Sequence, residues 1–148
     1  MEEIQNKFRK IVNLLSYCSL LLFVSCQSSP EKIDYGKEAC ASCKMTIVDG
    51  RFAAEMITAK GRIYKFDDIV CMKQYATANA DAAKDAQFWV AGYIAADGAF
   101  IDATKGVFLK SNAFASPMNG NYAAFDNEVS AQHLKDSLNL EYLQWNSL

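Results

Sequence analysis

The sequence predicts an α+β chain made of two small related halves with short antiparallel sheets, preceded by an export signal and a tether. Three observations carry this. Residues 62–66 (Arg-Ile-Tyr-Lys-Phe) alternate polar and apolar side chains, the period of a half-buried strand. Residues 51–58 form a short apolar-rich segment just before them, across the turn Ala59-Lys60-Gly61, so the two read as a hairpin. The junction Phe66-Asp67-Asp68, where a strand gives way to a helix, is echoed about 60 residues later by Phe125-Asp126-Asn127. Two β-β-α units follow, in a chain with helices segregated from small sheets.

The remaining elements follow in order. Asp67 or Asp68 caps a helix carrying Ile69, Met72 and Ala76 that fades near Asn79. Residues 88–94 (Phe-Trp-Val-Ala-Gly-Tyr-Ile) form another strand, with turns at Asp97-Gly98 and Lys105-Gly106. Residues 107–110 are a third short strand. Residues 116–120 (Ser-Pro-Met-Asn-Gly) are a loop by composition, and residues 122–125 a short apolar segment. Asp126 or Asn127 caps a second helix carrying Val129, Leu134 and Leu138, and residues 141–145 end the chain as a strand.

The N-terminus reads as export, not fold. Lys7, Arg9 and Lys10 precede a mostly apolar run over 11–24. That run is too short and interrupted for a span of ~20 residues, and fits a secretory h-region of ~7–15. Phe23-Val24-Ser25-Cys26 resembles a bacterial lipobox, with Phe where Leu is usual. We therefore expect a lipoprotein signal at 1–25, lipidation at Cys26, a flexible tether over 26–37 and a folded domain over 38–148, with approximate halves 38–85 and 86–148. The chain's net charge of −2 splits into +1 for residues 1–25 and −3 for the rest. The mature part is thus acidic, which argues against a nucleic-acid partner.

Of five cysteines, Cys18 leaves with the signal and Cys26 takes lipid. Cys40, Cys43 and Cys71 remain, and an odd count outside the cytoplasm points to a reactive or metal-binding thiol. Cys40-Ala41-Ser42-Cys43-Lys44-Met45 combines C-x-x-C with C-x-M. Thiolate and thioether sulfurs are soft donors that select Cu(I), and a thioether has no proton to lose on binding. Met118, in the Ser-Pro-Met-Asn-Gly loop, is a further candidate, although a loop Met is often simply packed. Cys71 reads as a small buried hydrophobe, His133 as part of a solvated helix face, and Asp67, Asp68 and Asp126 as caps. Zinc is disfavoured because Cys40, Cys43, Cys71 and His133 would all be needed and lack a second close pair. No nucleophile elbow, phosphate loop or Ser/His/Asp pattern argues for an enzyme. Two other readings use the same residues. One is a periplasmic thiol-disulfide oxidoreductase. The other is a non-metal lipoprotein interaction module with a structural Cys40–Cys43 disulfide.

The ordered motifs resemble the NosL family, lipoprotein copper chaperones associated with nitrous oxide reductase. They are Cys40-Ala41-Ser42-Cys43-Lys44-Met45-Thr46-Ile47, Arg51-Phe52-Ala53-Ala54-Glu55, Tyr64-Lys65-Phe66-Asp67-Asp68-Ile69-Val70-Cys71-Met72, and Ser116-Pro117-Met118-Asn119-Gly120 leading into Ala123-Ala124-Phe125. The resemblance implies two β-β-α-β halves with the metal between them. It also implies a Cu(I) carrier on the periplasmic face of a bacterial membrane, the outer membrane, held by its lipid. Such a carrier takes copper from an upstream donor and delivers it for the copper–sulfur centre of nitrous oxide reductase or a related copper enzyme. Cys43 and Met45 match the family's C-x-M ligands and Met118 matches its distant loop Met, although the loop here reads Pro-Met-Asn-Gly rather than Pro-Met-Gly. Cys40 is left open: it can ligate, pair with Cys43, or do neither.

Overall fold

The computed structural model describes residues 29–95 and 99–148. The signal at 1–25, Cys26 and the Asp97-Gly98 turn lie outside them. Strands β1 (Ala54–Ile57) and β2 (Ile63–Phe66) form the expected hairpin, with Ala54 opposite Phe66 and Ile57 opposite Ile63. Helix α1 (Ile69–Ala78) follows, then the short α2 (Ala80–Ala83). Strand β3 (Gln87–Ala91) returns to pair with β1, and β4 (Phe100–Asp102) adds to its outer edge. The first sheet therefore runs β2-β1-β3-β4. The second half repeats the path: β5 (Val107–Lys110), β6 (Tyr122–Phe125), α3 (Glu128–Leu138) and β7 (Leu143–Gln144), in the order β6-β5-β7. Both halves are thus β-β-α-β with antiparallel pairing, and β4 is an addition that the sequence pattern did not announce.

Local chemistry explains the shared junction. Phe66 and Phe125 end β2 and β6 as fully buried side chains. The residue two places on caps the helix in each half: Asp68 accepts from the Val70 amide, and Asn127 accepts from the Ser130 amide. Short polar side chains at this position satisfy helix N–H groups that have no partner within the helix. In α1 the buried face is Ile69, Cys71 and Met72. In α3 it is Ala131, while Val129 is 86% exposed and Leu138 faces outward, so only Leu134 of the three expected apolar positions packs inward.

The halves share one core. Met56, Phe66, Met72 and Val90 pack with Phe108 and Ala124. Trp145 stacks against Phe88 and Phe108 at 5.3 and 6.1 Å between ring centres, and its carbonyl accepts from Lys73 at 3.0 Å.

Two stretches lie at the expected boundaries. Residues 31–37 are exposed apart from Ile33, yet they touch the folded domain. Ile33 is buried in the main core, the Glu31 amide donates to Glu55 Oε2 at 2.9 Å, and the Gly36 amide to the Ile47 carbonyl at 2.9 Å. One apolar residue in a polar stretch was enough to anchor it. Strand β3, just past the expected boundary between the halves, pairs with β1 and β4 in the first sheet.

Candidate metal centre

Cys40, Cys43 and Met45 sit in a tight turn ahead of β1. The flanks are held by an Ala39–Thr46 bridge and by the Ile47 amide on the Glu38 carbonyl. Within the turn, the Cys40 amide donates to the Met45 carbonyl at 2.8 Å and the Lys44 amide to the Cys40 carbonyl at 3.1 Å. Lys44 takes the left-handed conformation (φ 69°) that reverses the chain. The Ala41 amide donates to the Lys65 carbonyl at 2.8 Å, which docks the turn on the free edge of β2.

That docking brings the turn over the start of α1. The ligating atoms of Cys40, Cys43, Asp67 and Cys71 all lie within 4.8 Å of one another, a group able to hold a metal ion. The Cys43 thiol donates to the Asp67 carboxylate, at 3.4 Å from Oδ2 and 3.5 Å from Oδ1. Cys40 and Cys71 are 1% exposed and Asp67 2%, while Cys43 is half-buried and forms the outer edge. A buried carboxylate is costly without compensation, and the partner this one meets is a thiol. All three cysteines carry free thiols, so the expected alternative of a Cys40–Cys43 disulfide is not the state observed.

Burial keeps the Cys43 and Cys71 thiols protonated. Burial pushes the Cys43 thiol up, with smaller upward contributions from Cys40 and the Asp67 carboxylate and a downward one from the Met45 amide. Burial also pushes Cys71 strongly up, and Asp67 adds to it. A reactive cysteine of the thioredoxin kind has a depressed pKa, the opposite of this arrangement. A metal entering here must displace thiol protons, so its affinity rises with pH.

The loop that carries Met118 is held by Asp68. Asp68 Oδ2 accepts from the Ser116 hydroxyl at 2.6 Å and from the Met118 amide at 3.0 Å, while Oδ1 caps α1. The loop is thereby tied to the residue next to Asp67. Met45 and Met118 are 54% and 37% exposed, whereas Met56 and Met72 are fully buried. Met45 and Met118 are thus unlike the core methionines.

The structure thus brings Cys40 and Cys43 together, leaves Met45 and Met118 exposed, and adds two residues that the sequence did not mark as donors. Asp67 is not the cap, because Asp68 is. Cys71 is buried as expected, yet its sulfur faces the other thiols. His133 is exposed on α3, on the other sheet, so the fourth donor that a Cys/His count lacked is the Asp67 carboxylate.

Fold and site together define a two-repeat α+β domain with a thiol–carboxylate group suited to a metal ion at the edge of its first repeat. The chain belongs to the NosL family, whose model matches residues 31–142. Among solved structures it is similar to the copper chaperone NosL from Shewanella denitrificans. The TM-score is 0.67 at 14% identity, over 81% of this chain and 95% of that one, a likeness of fold. None of the curated proteins matches this chain.

Proposed function

We propose that the chain is a membrane-anchored Cu(I) carrier. Cys43 is the thiolate anchor, Met45 and Met118 are neutral thioether partners, and Cys40 contributes from the buried side. The observation that carries this reading is the C-x-x-C-x-M turn, whose thiols gather in one group while its thioether and that of the pinned loop stay exposed. Soft sulfur donors favour Cu(I), and exposed neutral ligands suit release to an acceptor by ligand exchange. Membership of the NosL family and the fold shared with a copper chaperone support it. Lipid on Cys26 would hold the domain at the periplasmic face of the outer membrane. The acceptor we propose is nitrous oxide reductase or a related copper enzyme, with a separate donor supplying the copper. The carrier performs no chemical turnover of its own.

Titrating the reduced chain with Cu(I) against a competing chelator tests the site. Cys43→Ala is expected to abolish tight binding, and Met45→Ala and Met118→Ala to weaken it. Affinity unchanged in Cys43→Ala and Met45→Ala overturns the assignment. Transfer from the loaded chain to metal-free nitrous oxide reductase, followed by recovery of its absorption, tests the acceptor.

A further inference from the structure

We propose that Cys40 and Cys43 form a reversible disulfide, and that a dithiol reductant must open it before metal is loaded. The geometry of the turn selects this pair. Cys40 and Cys43 are three residues apart in a turn closed by the Lys44 amide on the Cys40 carbonyl. Side chains three apart in a helical turn stand ~5–6 Å apart at Cβ, so a small tightening of the turn reaches disulfide distance. Their sulfurs already lie within the 4.8 Å group. Cys71, whose sulfur lies in the same group, is held on a separate element, the first turn of α1.

Access is asymmetric. Cys43 is half-buried and Cys40 is 1% exposed. In the disulfide, a partner thiolate attacks Cys43 Sγ, the S–S bond breaks, and the electron pair leaves on Cys40, which takes up a proton. The partner's second thiolate then attacks its own sulfur in the mixed disulfide and releases Cys43. Two protein thiols and one partner disulfide result. The reverse exchange, with a disulfide donor as oxidant, closes the pair.

The bond is a modification rather than a scaffold. A ring this short gains least from loop closure, and the turn is already held in the thiol state by its own hydrogen bonds and by the Ala41 amide on β2. The exchange needs only the thiols. Its bearing on copper rests on the carrier reading, because the disulfide would consume Cys43.

The full chain equilibrated in glutathione redox buffers, quenched by alkylation and mapped by peptide mass, tests it. The expected result is a Cys40–Cys43 disulfide that forms and opens reversibly, Cys71 alkylated as a single thiol throughout, no such bond in Cys40→Ser, and loss of Cu(I) binding in the oxidised wild type. A dominant Cys43–Cys71 bond, no bond at any buffer ratio, or equally tight Cu(I) binding by oxidised and reduced protein overturns the proposal. Failure of the reduced chain to bind Cu(I) counts against the carrier reading alone, since the disulfide map is read without copper.

Discussion

Asp68 Oδ2 accepts the Met118 amide at 3.0 Å, joining the start of the first helix to a loop 50 residues further along the chain. The same carboxylate holds the Ser116 hydroxyl and caps α1, so one buried side chain sets both the helix and the loop. Replacing it with alanine removes a cap worth ~0.5–2 kcal/mol and charge-assisted bonds worth ~1.5–3 kcal/mol each. We expect Asp68→Ala to lose about 3 kcal/mol in denaturant unfolding. Asp68→Asn can still cap, so it is expected to keep most of that stability and yet bind Cu(I) more weakly. Wild-type copper affinity in a folded Asp68→Asn would separate the loop from the metal site.

Gly120 closes that loop against the same carboxylate. A Cβ there would lie 2.6 Å from Asp68 Oδ1 and 3.1 Å from Val70 Cβ. The obstruction is steric, since no unusual φ is involved. Gly120→Ala must therefore push the loop off Asp68. The expected outcome is lower stability and weaker Cu(I) binding together, read by thermal unfolding and chelator competition.

Glu55 gives the fold a pH dependence. It is fully buried on β1, its Oε2 takes the Glu31 amide, and its Oε1 has no partner. Burial raises its pKa from 4.5 to about 7, with Glu31 and Glu38 adding to the rise and Lys65 opposing it. The native state therefore holds this proton more tightly than the unfolded chain. Its contribution is fully present below about pH 4.5 and is lost as pH rises through about 7, at most about 3 kcal/mol at ~1.4 kcal/mol per unit. Glu55→Gln is expected to flatten that slope and to be the more stable protein at pH 8. A parallel slope in the variant would assign the effect to another group.

The second helix should tolerate change on one side only. Val129 is 86% exposed, whereas Ala131 is fully buried against the second sheet. Val129→Lys is expected to fall within ~0.5 kcal/mol of wild type. Ala131→Leu overpacks the contact and should cost ~1–3 kcal/mol. Equal effects in denaturant titrations would mean that α3 packs through a different face.

The pattern of strands and helices was legible where local chemistry decides it. The alternation over residues 62–66 and the Phe-Asp junctions at 66 and 125 mark the hairpin and both helix starts, because pleating and capping are short-range demands. Strand β4 was not legible, since three half-buried residues acquire their role only by pairing with β3. The site divides in the same way. Cys40, Cys43 and Met45 lie within one turn and declare themselves by spacing. Asp67 and Cys71 join them only because the Ala41 amide docks that turn on β2, a contact across 24 positions that no local pattern encodes. The two adjacent aspartates also looked equivalent until one was seen to cap and the other to face sulfur.

The bond from the Glu31 amide to Glu55 fixes where the folded body begins. Four residues separate Glu31 from Cys26, and the five steps between them span at most about 18 Å when fully extended. With lipid on Cys26, as proposed, that is a short leash. Such a carrier could not sweep a large volume in search of its client. It would turn in place close to the bilayer, and the recipient would have to come down to the membrane surface to collect its metal.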